Sequence, residues 1–255
     1  MVDGRLGKAM KVIGVIQARM NSERLPGKIF AKVVGDETLL SLIWRRISEV
    51  EIEWWLATTN SPADDITEIW GRSNGLNVFR GDEEDVLSRF VAIASNSKCD
   101  WMVRITADNP LVEADTIRKL IYQASTAPQG TDVIGEKLVE RDFPLGYIPE
   151  IVRTNALLRI ERELSKDVFY HRSNVTSALY PEKSQQFVSG ELPSRPEWRW
   201  TVDTILDLLM MRELFNGIGG EHTNPKYLEL VDFLDSNEQI TRINNSVNQK
   251  RIEEG

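Results

Sequence analysis

The chain has 255 residues, 41% of them apolar, and a net charge of -8. That length and apolar content suffice for one full core, and the acidic balance argues against a protein that coats nucleic acid or an anionic membrane. A single cysteine, Cys99, excludes an intramolecular disulfide framework and any multi-cysteine zinc site. No apolar run is long enough to span a membrane and the first residues lack the apolar core of a signal peptide, so a soluble, cytoplasmic protein is expected. Residues 1–9 are polar and glycine-bearing, with Met10 a second candidate start, and are set aside.

In chain order, Lys11 to Ala18 is Val/Ile-rich and reads as a strand that feeds the segment Gln17-Ala18-Arg19-Met20-Asn21-Ser22-Glu23-Arg24-Leu25-Pro26-Gly27-Lys28. Three cations spread over a loop of Asn, Ser, Pro and Gly suit a flexible polyanion such as a triphosphate, with backbone amides converging beside them. Taken alone they fit a solvated basic loop better, and the later segments reverse that preference. After a Gly35-Asp36 turn, Thr38 to Val50 carries Leu39, Leu42, Ile43, Arg46 and Ile47 at helical spacing. Trp54 to Thr58 is a second strand. Pro62 to Arg72 is a helix with Ser61 as cap and Pro62 at its first position, and Asn77 to Phe79 is a third strand. Glu83 to Ser95 is helical, with acids in its first turn, and Asp100 to Thr106 is a fourth strand. Strand and helix alternating at this pitch predict an α/β fold, a mostly parallel central sheet with helices on both faces, and ligands beyond the strand C-termini.

The rhythm changes near residue 130. Asp132 to Val139 reads as a strand, followed by a turn at Pro144 and Gly146 and helices over Glu150 to Leu164 and Val168 to Leu179. Phe187 to Val188 and Trp198 to Val202 return as strands, and Ile205 to Phe215 and Pro225 to Leu234 close as helices. The expected organisation is one domain over 10–236, with an excursion at about 131–190 and flexible ends at 1–9 and 237–255. From Asn244 onward the chain reads as a polar tail.

Two aspartates sit at expected strand ends. Asp108 follows the fourth strand in Arg104-Ile105-Thr106-Ala107-Asp108-Asn109-Pro110, and Asp203 follows Trp200-Thr201-Val202. Either one alone reads as a helix N-cap. Delivered to the same crevice beside a cationic loop, they suit Mg²⁺, which takes carboxylate oxygens together with substrate phosphates. Phe79-Arg80-Gly81-Asp82 ends the third strand, where Gly81 allows close backbone approach, Arg80 is within reach of a ligand and Asp82 reads as a cap. Ala57-Thr58-Thr59-Asn60 ends the second, and fits a plain turn or a base-edge reader equally.

Taken in order, Ile16-Gln17-Ala18-Arg19 through Arg24-Leu25-Pro26-Gly27-Lys28, Arg80-Gly81 with Glu84-Asp85-Val86-Leu87, Arg104-Ile105-Thr106-Ala107-Asp108 and Trp200-Thr201-Val202-Asp203-Thr204 resemble the cytidylyltransferases. The likeness spans most of the chain and is nearest to the spore coat polysaccharide biosynthesis protein F-like branch, related to the acylneuraminate and 3-deoxy-manno-octulosonate enzymes. It implies a nucleotide-diphospho-sugar transferase-like, Rossmann-like three-layer sandwich. It implies Ala18, Arg19, Asn21, Ser22, Arg24, Lys28 and Thr106 at the nucleotide, cytosine recognition near Ala57, Thr58 and Arg80, and Mg²⁺ on Asp108 and Asp203. Arg19, Lys28, Asp108 and Asp203 would carry the chemistry, with no protein nucleophile. The partners implied are CTP and a small acceptor: a sugar acid, sugar phosphate or phosphonate. Neither nucleic acid nor membrane is expected.

Departures from the family pattern fall in two places. Asn21 replaces a usual Gly, at a position where Asn tolerates positive φ. On the acceptor side, Phe143-Pro144-Leu145-Gly146-Tyr147-Ile148-Pro149-Glu150 keeps Glu150 but has Ile148 for an Asp, and Arg172-Ser173-Asn174-Val175-Thr176 keeps Arg172 but lacks the usual Glu and His. Glu150 for hydroxyls, Arg172 for a negative charge and Asn174 are the acceptor candidates. His171 and His222 have no evident partners for catalysis. Trp54, Trp55 and Trp198 suit either buried packing or a homodimer face. Two rivals stand beside nucleotidyl transfer: a metal-dependent glycosyltransferase that consumes a nucleotide sugar, and a catalytically silent nucleotide-binding subunit.

Overall fold

The computed structural model describes residues 9–136, 141–165, 168–180, 184–188 and 190–249. Strands β1 (Val12–Gln17), β4 (Glu53–Thr59), β5 (Asn77–Gly81) and β6 (Trp101–Thr106) pair in parallel in the order β5-β4-β1-β6. The sheet continues through β8 (Glu150–Arg153), β7 (Val133–Gly135) and β9 (Ser184–Gln186), of which only β8 runs against its neighbours. A short antiparallel pair, β2 (Lys32–Val34) with β3 (Glu37–Thr38), lies apart.

Alternation along β1 explains the layering. Ile13 and Val15 face one apolar cluster, with residues of α3 (Val86–Ser97) and α5 (Thr154–Glu163). Val12 and Ile16 face the other, with α1 (Leu39–Ile47), α4 (Ala114–Thr126), α7 (Ile205–Ile218) and α8 (Tyr227–Asp235). An inner strand buried on both faces is apolar at nearly every position, as β1 is. Its one gap, Gly14, is where the Trp54 ring lies flat: a Cβ there would stand 2.2 Å from it. α2 (Asp65–Ser73) starts as expected, with Ser61 accepting from the Ala63 amide and Pro62 opening a 3-10 turn.

Several expectations are corrected. Glu150–Arg153 is β8 rather than the first turn of a helix, which begins only at Thr154. The segment Val168 to Leu179 is a short helix, α6 (Phe169–Ser173), and a 3-10 turn, broken at Val175, whose φ is 54°. Trp198 to Val202 runs alongside Leu145 through one bridge to Arg199 and joins no strand. Of the expected strand Asp132 to Val139, only Val133–Gly135 pairs, and 137–139 lie outside the described residues. The expected flexible end is ordered through residue 249: α9 (Glu238–Thr241) packs Ile240 on the core, and Asn244 is 2% exposed. Trp54 is buried in the core, which removes it from a dimer face. Among the described residues, no helix is long and apolar enough to cross a membrane.

Candidate active site

Beyond the C-termini of β1 and β6 lies a cavity of about 760 Å³. The basic bend forms one wall. Gly27, at φ 72°, turns the chain into a 3-10 turn over Lys28–Phe30, and this aims Lys28 inward. Lys28 is 8% exposed. Its Nζ donates to Asp108 Oδ2 at 3.1 Å, Asp203 Oδ1 at 2.9 Å and the Val202 carbonyl at 2.8 Å. Segments 80 and 175 residues away thus meet on one ammonium.

The approach of Asp203 has a visible cause. Phe143 to Gly146 runs beside 198–201, with the Leu145 amide donating to the Trp198 carbonyl and the Trp200 amide to the Leu145 carbonyl, each at 2.9 Å. Gly146, at φ 92°, is needed here, because a Cβ would come within 3.0 Å of the Thr201 amide. The Val202 amide then donates to the Asp108 carbonyl at 2.7 Å, which locks the two acidic segments side by side. Asp203 Oδ2 accepts from Arg199 Nη2 at 2.7 Å and pairs with Arg24 Nη2, 2.8 Å away. Arg199 is itself held by Asp207 and by Gln249 from the end of the described chain.

Charges follow from this geometry. Burial works to lower the Lys28 pKa, but Asp108 and Asp203 outweigh it and hold the ammonium above its ordinary 10.5. Burial works to raise the Asp108 pKa, and Lys28 with the Thr106 hydroxyl overcomes that and keeps it below 3.8. Lys28 and Asp108 are therefore both charged at neutral pH.

Two carboxylates directed at one point are a fitting donor pair for a hard divalent cation. Lys28 Nζ sits at that point, and both oxygens of Asp203 already meet cations. Among the described residues no group of three or more His, Cys, Asp or Glu side chains converges as a metal site. The pair fits a divalent ion that arrives with further oxygen ligands and negative charge, as a metal-triphosphate does.

Arg19, Ser22, Arg24, Lys28, Ala18 and Thr106 all line the cavity. Arg19 is half-exposed and lies 3.5 Å from Glu83, to which Asn21 also donates at 3.2 Å. Asn21 does not have positive φ, so it fills the Gly position without needing the left-handed region. Glu150, an expected acceptor residue, lines the cavity and accepts from Arg104 at 2.8 Å, Thr176 at 2.7 Å and Tyr180 at 2.6 Å. Asn174 lines the cavity too.

Five assigned residues are not brought to the cavity, Asn21 among them. Arg172 is 2% exposed and bonded to Asp85 at 2.6 Å and Glu161 at 2.8 Å, so its charge is already used in a buried ion pair. Arg80 donates to the Thr59 and Ser61 carbonyls, Asp65 and Glu68, on the side of α2. Ala57 and Thr58 are wholly buried within β4. Arg89, Arg104 and Arg141 are further cations that line the cavity. Arg104 was findable: a charged residue in the middle of Trp101-Met102-Val103-Arg104-Ile105 has to face something polar. His171 bonds the Ser177 hydroxyl at 2.8 Å, outside the cavity, and Cys99 is buried against Thr154.

A parallel sheet carrying a basic bend after its first strand, with two carboxylates meeting the bend's lysine, is the layout of a nucleotidyltransferase. Residues 13–192 match the family model described as cytidylyltransferase, and the chain belongs to that family. It is 31% identical over 237 residues to the spore coat polysaccharide biosynthesis protein SpsF of Bacillus subtilis, covering 89% of this chain and 95% of the other. Among solved structures it is similar to a cytidylyltransferase from Leptospira borgpetersenii serovar Hardjo-bovis, with a TM-score of 0.83, 25% identity and coverage of 95% and 100% of the two chains. A CMP:2-keto-3-deoxy-manno-octonic acid synthetase complexed with CTP shares the fold at a TM-score of 0.56 and 17% identity, over 81% of this chain and 98% of that one.

Proposed function

We propose that the protein transfers the cytidylyl group of CTP to an oxygen of a small anionic sugar-type acceptor. The acceptor oxygen attacks the α-phosphorus in line, the α–β phosphoanhydride bond breaks, and pyrophosphate leaves, with the acceptor's proton lost to solvent. The convergence of Lys28, Asp108 and Asp203 at the basic bend is the observation that carries this reading. Family membership supports the reaction type, the CTP held by the structural neighbour supports the nucleotide, and the name of the Bacillus relative supports a role in surface polysaccharide synthesis.

Reactions of this kind need alignment and charge stabilisation more than covalent help from the protein. Arg19, Ser22 and Arg24 would hold the triphosphate, with Lys28 passing from the carboxylates to the phosphates as they arrive. Asp108 and Asp203 would hold Mg²⁺, which supplies neutralisation of the developing pyrophosphate charge. Glu150, fixed by Arg104, Thr176 and Tyr180, would accept from acceptor hydroxyls, and Asn174 would assist. The acidic, non-membrane character of the chain favours a cytoplasmic setting.

A screen of nucleoside triphosphates against sugar acids, sugar phosphates and phosphonates, read by pyrophosphate release, tests the reading. Release with CTP and one acceptor supports it; turnover only with a nucleotide sugar as donor indicates a glycosyltransferase, and CTP binding without turnover on any acceptor indicates a silent subunit. Calorimetry with Mn²⁺ checks the metal assignment, with weak binding expected alone and binding at least about tenfold tighter beside CTP, because Lys28 and Arg24 hold the same oxygens until phosphates draw them off.

A further inference from the structure

Three cations meet the Asp203 carboxylate, and they are not equivalent. Arg24 and Lys28 line the catalytic cavity, whereas Arg199 does not; it borders a smaller cavity of about 190 Å³ formed with residues between 241 and 249. Arg199 is 8% exposed, and every nitrogen of its fork has a partner. Nε donates to Asp207 Oδ1 at 2.9 Å, Nη1 to Gln249 Oε1 at 2.6 Å and Nη2 to Asp203 Oδ2 at 2.7 Å. Its carbonyl accepts from Asn244 at 3.0 Å. Asp207, wholly buried, accepts in addition from Asn244 and from the amides of Asp203 and Thr204.

These attachments decide which cations leave when phosphates enter. Arg24 and Lys28 face the space a polyanion occupies, so their charges are drawn to it. Arg199 sits outside that lining, and moving it breaks a buried pair with Asp207, which is costly in a low-dielectric interior. A planar guanidinium with two of its nitrogens on two different carboxylates is also fixed in orientation. Asp203 Oδ1, which Lys28 holds at 2.9 Å, is thereby released, while Oδ2 keeps Arg199.

One carboxylate oxygen is then open to a divalent ion and the other is closed to it, because a second cation on Oδ2 would be repelled by the guanidinium 2.7 Å away. Hard cations differ in what they make of this. Mg²⁺ is small, holds a strict octahedral arrangement and takes carboxylates together with phosphate oxygens and water; Ca²⁺ gathers about six to eight oxygens and uses both oxygens of a carboxylate where it can. A carboxylate with one oxygen blocked therefore serves the smaller ion better.

We propose that Arg199 is a positioning residue that selects the ion: by holding Asp203 Oδ2 it limits that carboxylate to a single open oxygen, which suits Mg²⁺ and disfavours Ca²⁺. This rests on the nucleotidyl-transfer reading above and specifies its metal. The test is the affinity for CTP by calorimetry, without acceptor, in saturating Mg²⁺, in saturating Ca²⁺ and in chelator, together with thermal midpoints. The unaltered protein is expected to bind CTP at least about tenfold tighter in Mg²⁺ than in Ca²⁺. Arg199→Met frees Oδ2 and should close that gap through tighter binding in Ca²⁺. Should this variant not fold, because Asp207 is left buried without its cation, the double variant Arg199→Met with Asp207→Asn decides, since both buried charges leave together.

An unchanged Mg²⁺-to-Ca²⁺ ratio overturns the proposal, and so does a ratio that falls only because binding in Mg²⁺ weakens; either result makes Arg199 a structural support. Equal binding in Mg²⁺ and Ca²⁺ by the unaltered protein overturns it while leaving nucleotidyl transfer intact. Equal binding in chelator removes the metal assignment with it, and no binding of CTP under any condition removes the nucleotidyl-transfer reading as well.

Discussion

Lys28 holds two carboxylates together as a buried counter-ion. Removing its charge leaves Asp108 and Asp203 facing each other without their shared partner. Lys28→Met is expected to lower stability by about 1–3 kcal/mol, read as a urea midpoint, and to weaken CTP binding by calorimetry. Asp108→Asn keeps the shape and removes the charge; it is expected to cut pyrophosphate release by about a hundredfold or more with an unchanged circular dichroism spectrum. The pH dependence has a defined sign at both ends. The Asp108 carboxyl is held below 3.8 when folded, so its contribution is complete above that value and disappears as pH falls through the folded pKa. Lys28 is held above 10.5 when folded, so its contribution is complete below that value and disappears as pH rises through the folded pKa. The stability difference between the unaltered protein and Asp108→Asn, followed by urea unfolding, is therefore expected to be flat from about pH 5 to about pH 10 and to shrink in acid below.

At the scale of elements, legibility depended on length and burial. β1, β4 and β6 are buried inner strands, and their Val, Ile and Trp runs mark them plainly. β8 is four residues long and runs straight into α5, so its Glu-Ile-Val-Arg pattern merges with the helical period that follows. Trp198 to Val202 is apolar for another reason: Trp200 packs edge-on against Tyr147 and Tyr227, with ring centroids at 5.5 and 5.6 Å, and the segment needs no sheet to bury it. Val175 breaks the expected helix because the chain must turn there, with Asn174 toward the cavity and Thr176 onto Glu150. A β-branched residue at positive φ is strained, and no sequence pattern announces it. The basic bend and both aspartates were visible as charged residues at strand ends. Arg172 and Arg80 misled because a sequence shows a charge and not what neutralises it. Gly14 offers a direct check on the sheet: Gly14→Ala is expected to cost about 1–3 kcal/mol in thermal or urea unfolding, since the Trp54 ring has to leave its place over β1.

Across the whole molecule, the last described residues belong to the site. Asn244 donates to the Arg199 carbonyl at 3.0 Å and to Asp207 at 2.9 Å, and Gln249 accepts from Arg199 at 2.6 Å. Polar composition suggested a solvated tail, but hydrogen-bonding side chains also serve as fasteners when arginine and aspartate wait beneath them. Asn244→Ala is expected to lower the unfolding midpoint by an amount equivalent to about 1–3 kcal/mol, because it leaves the buried Arg199 carbonyl without this donor and takes one of two donors from Asp207 Oδ1.

The stitch from Lys28 to Val202 and Asp203 also has a consequence in time. Until ribosomal synthesis has passed residue 203, the basic bend has Asp108 and Glu83 as counter-charges but nothing from the late segment. The completed charge cluster of Lys28, Arg24, Asp108 and Asp203 is thus reserved for polypeptides whose synthesis has passed that point.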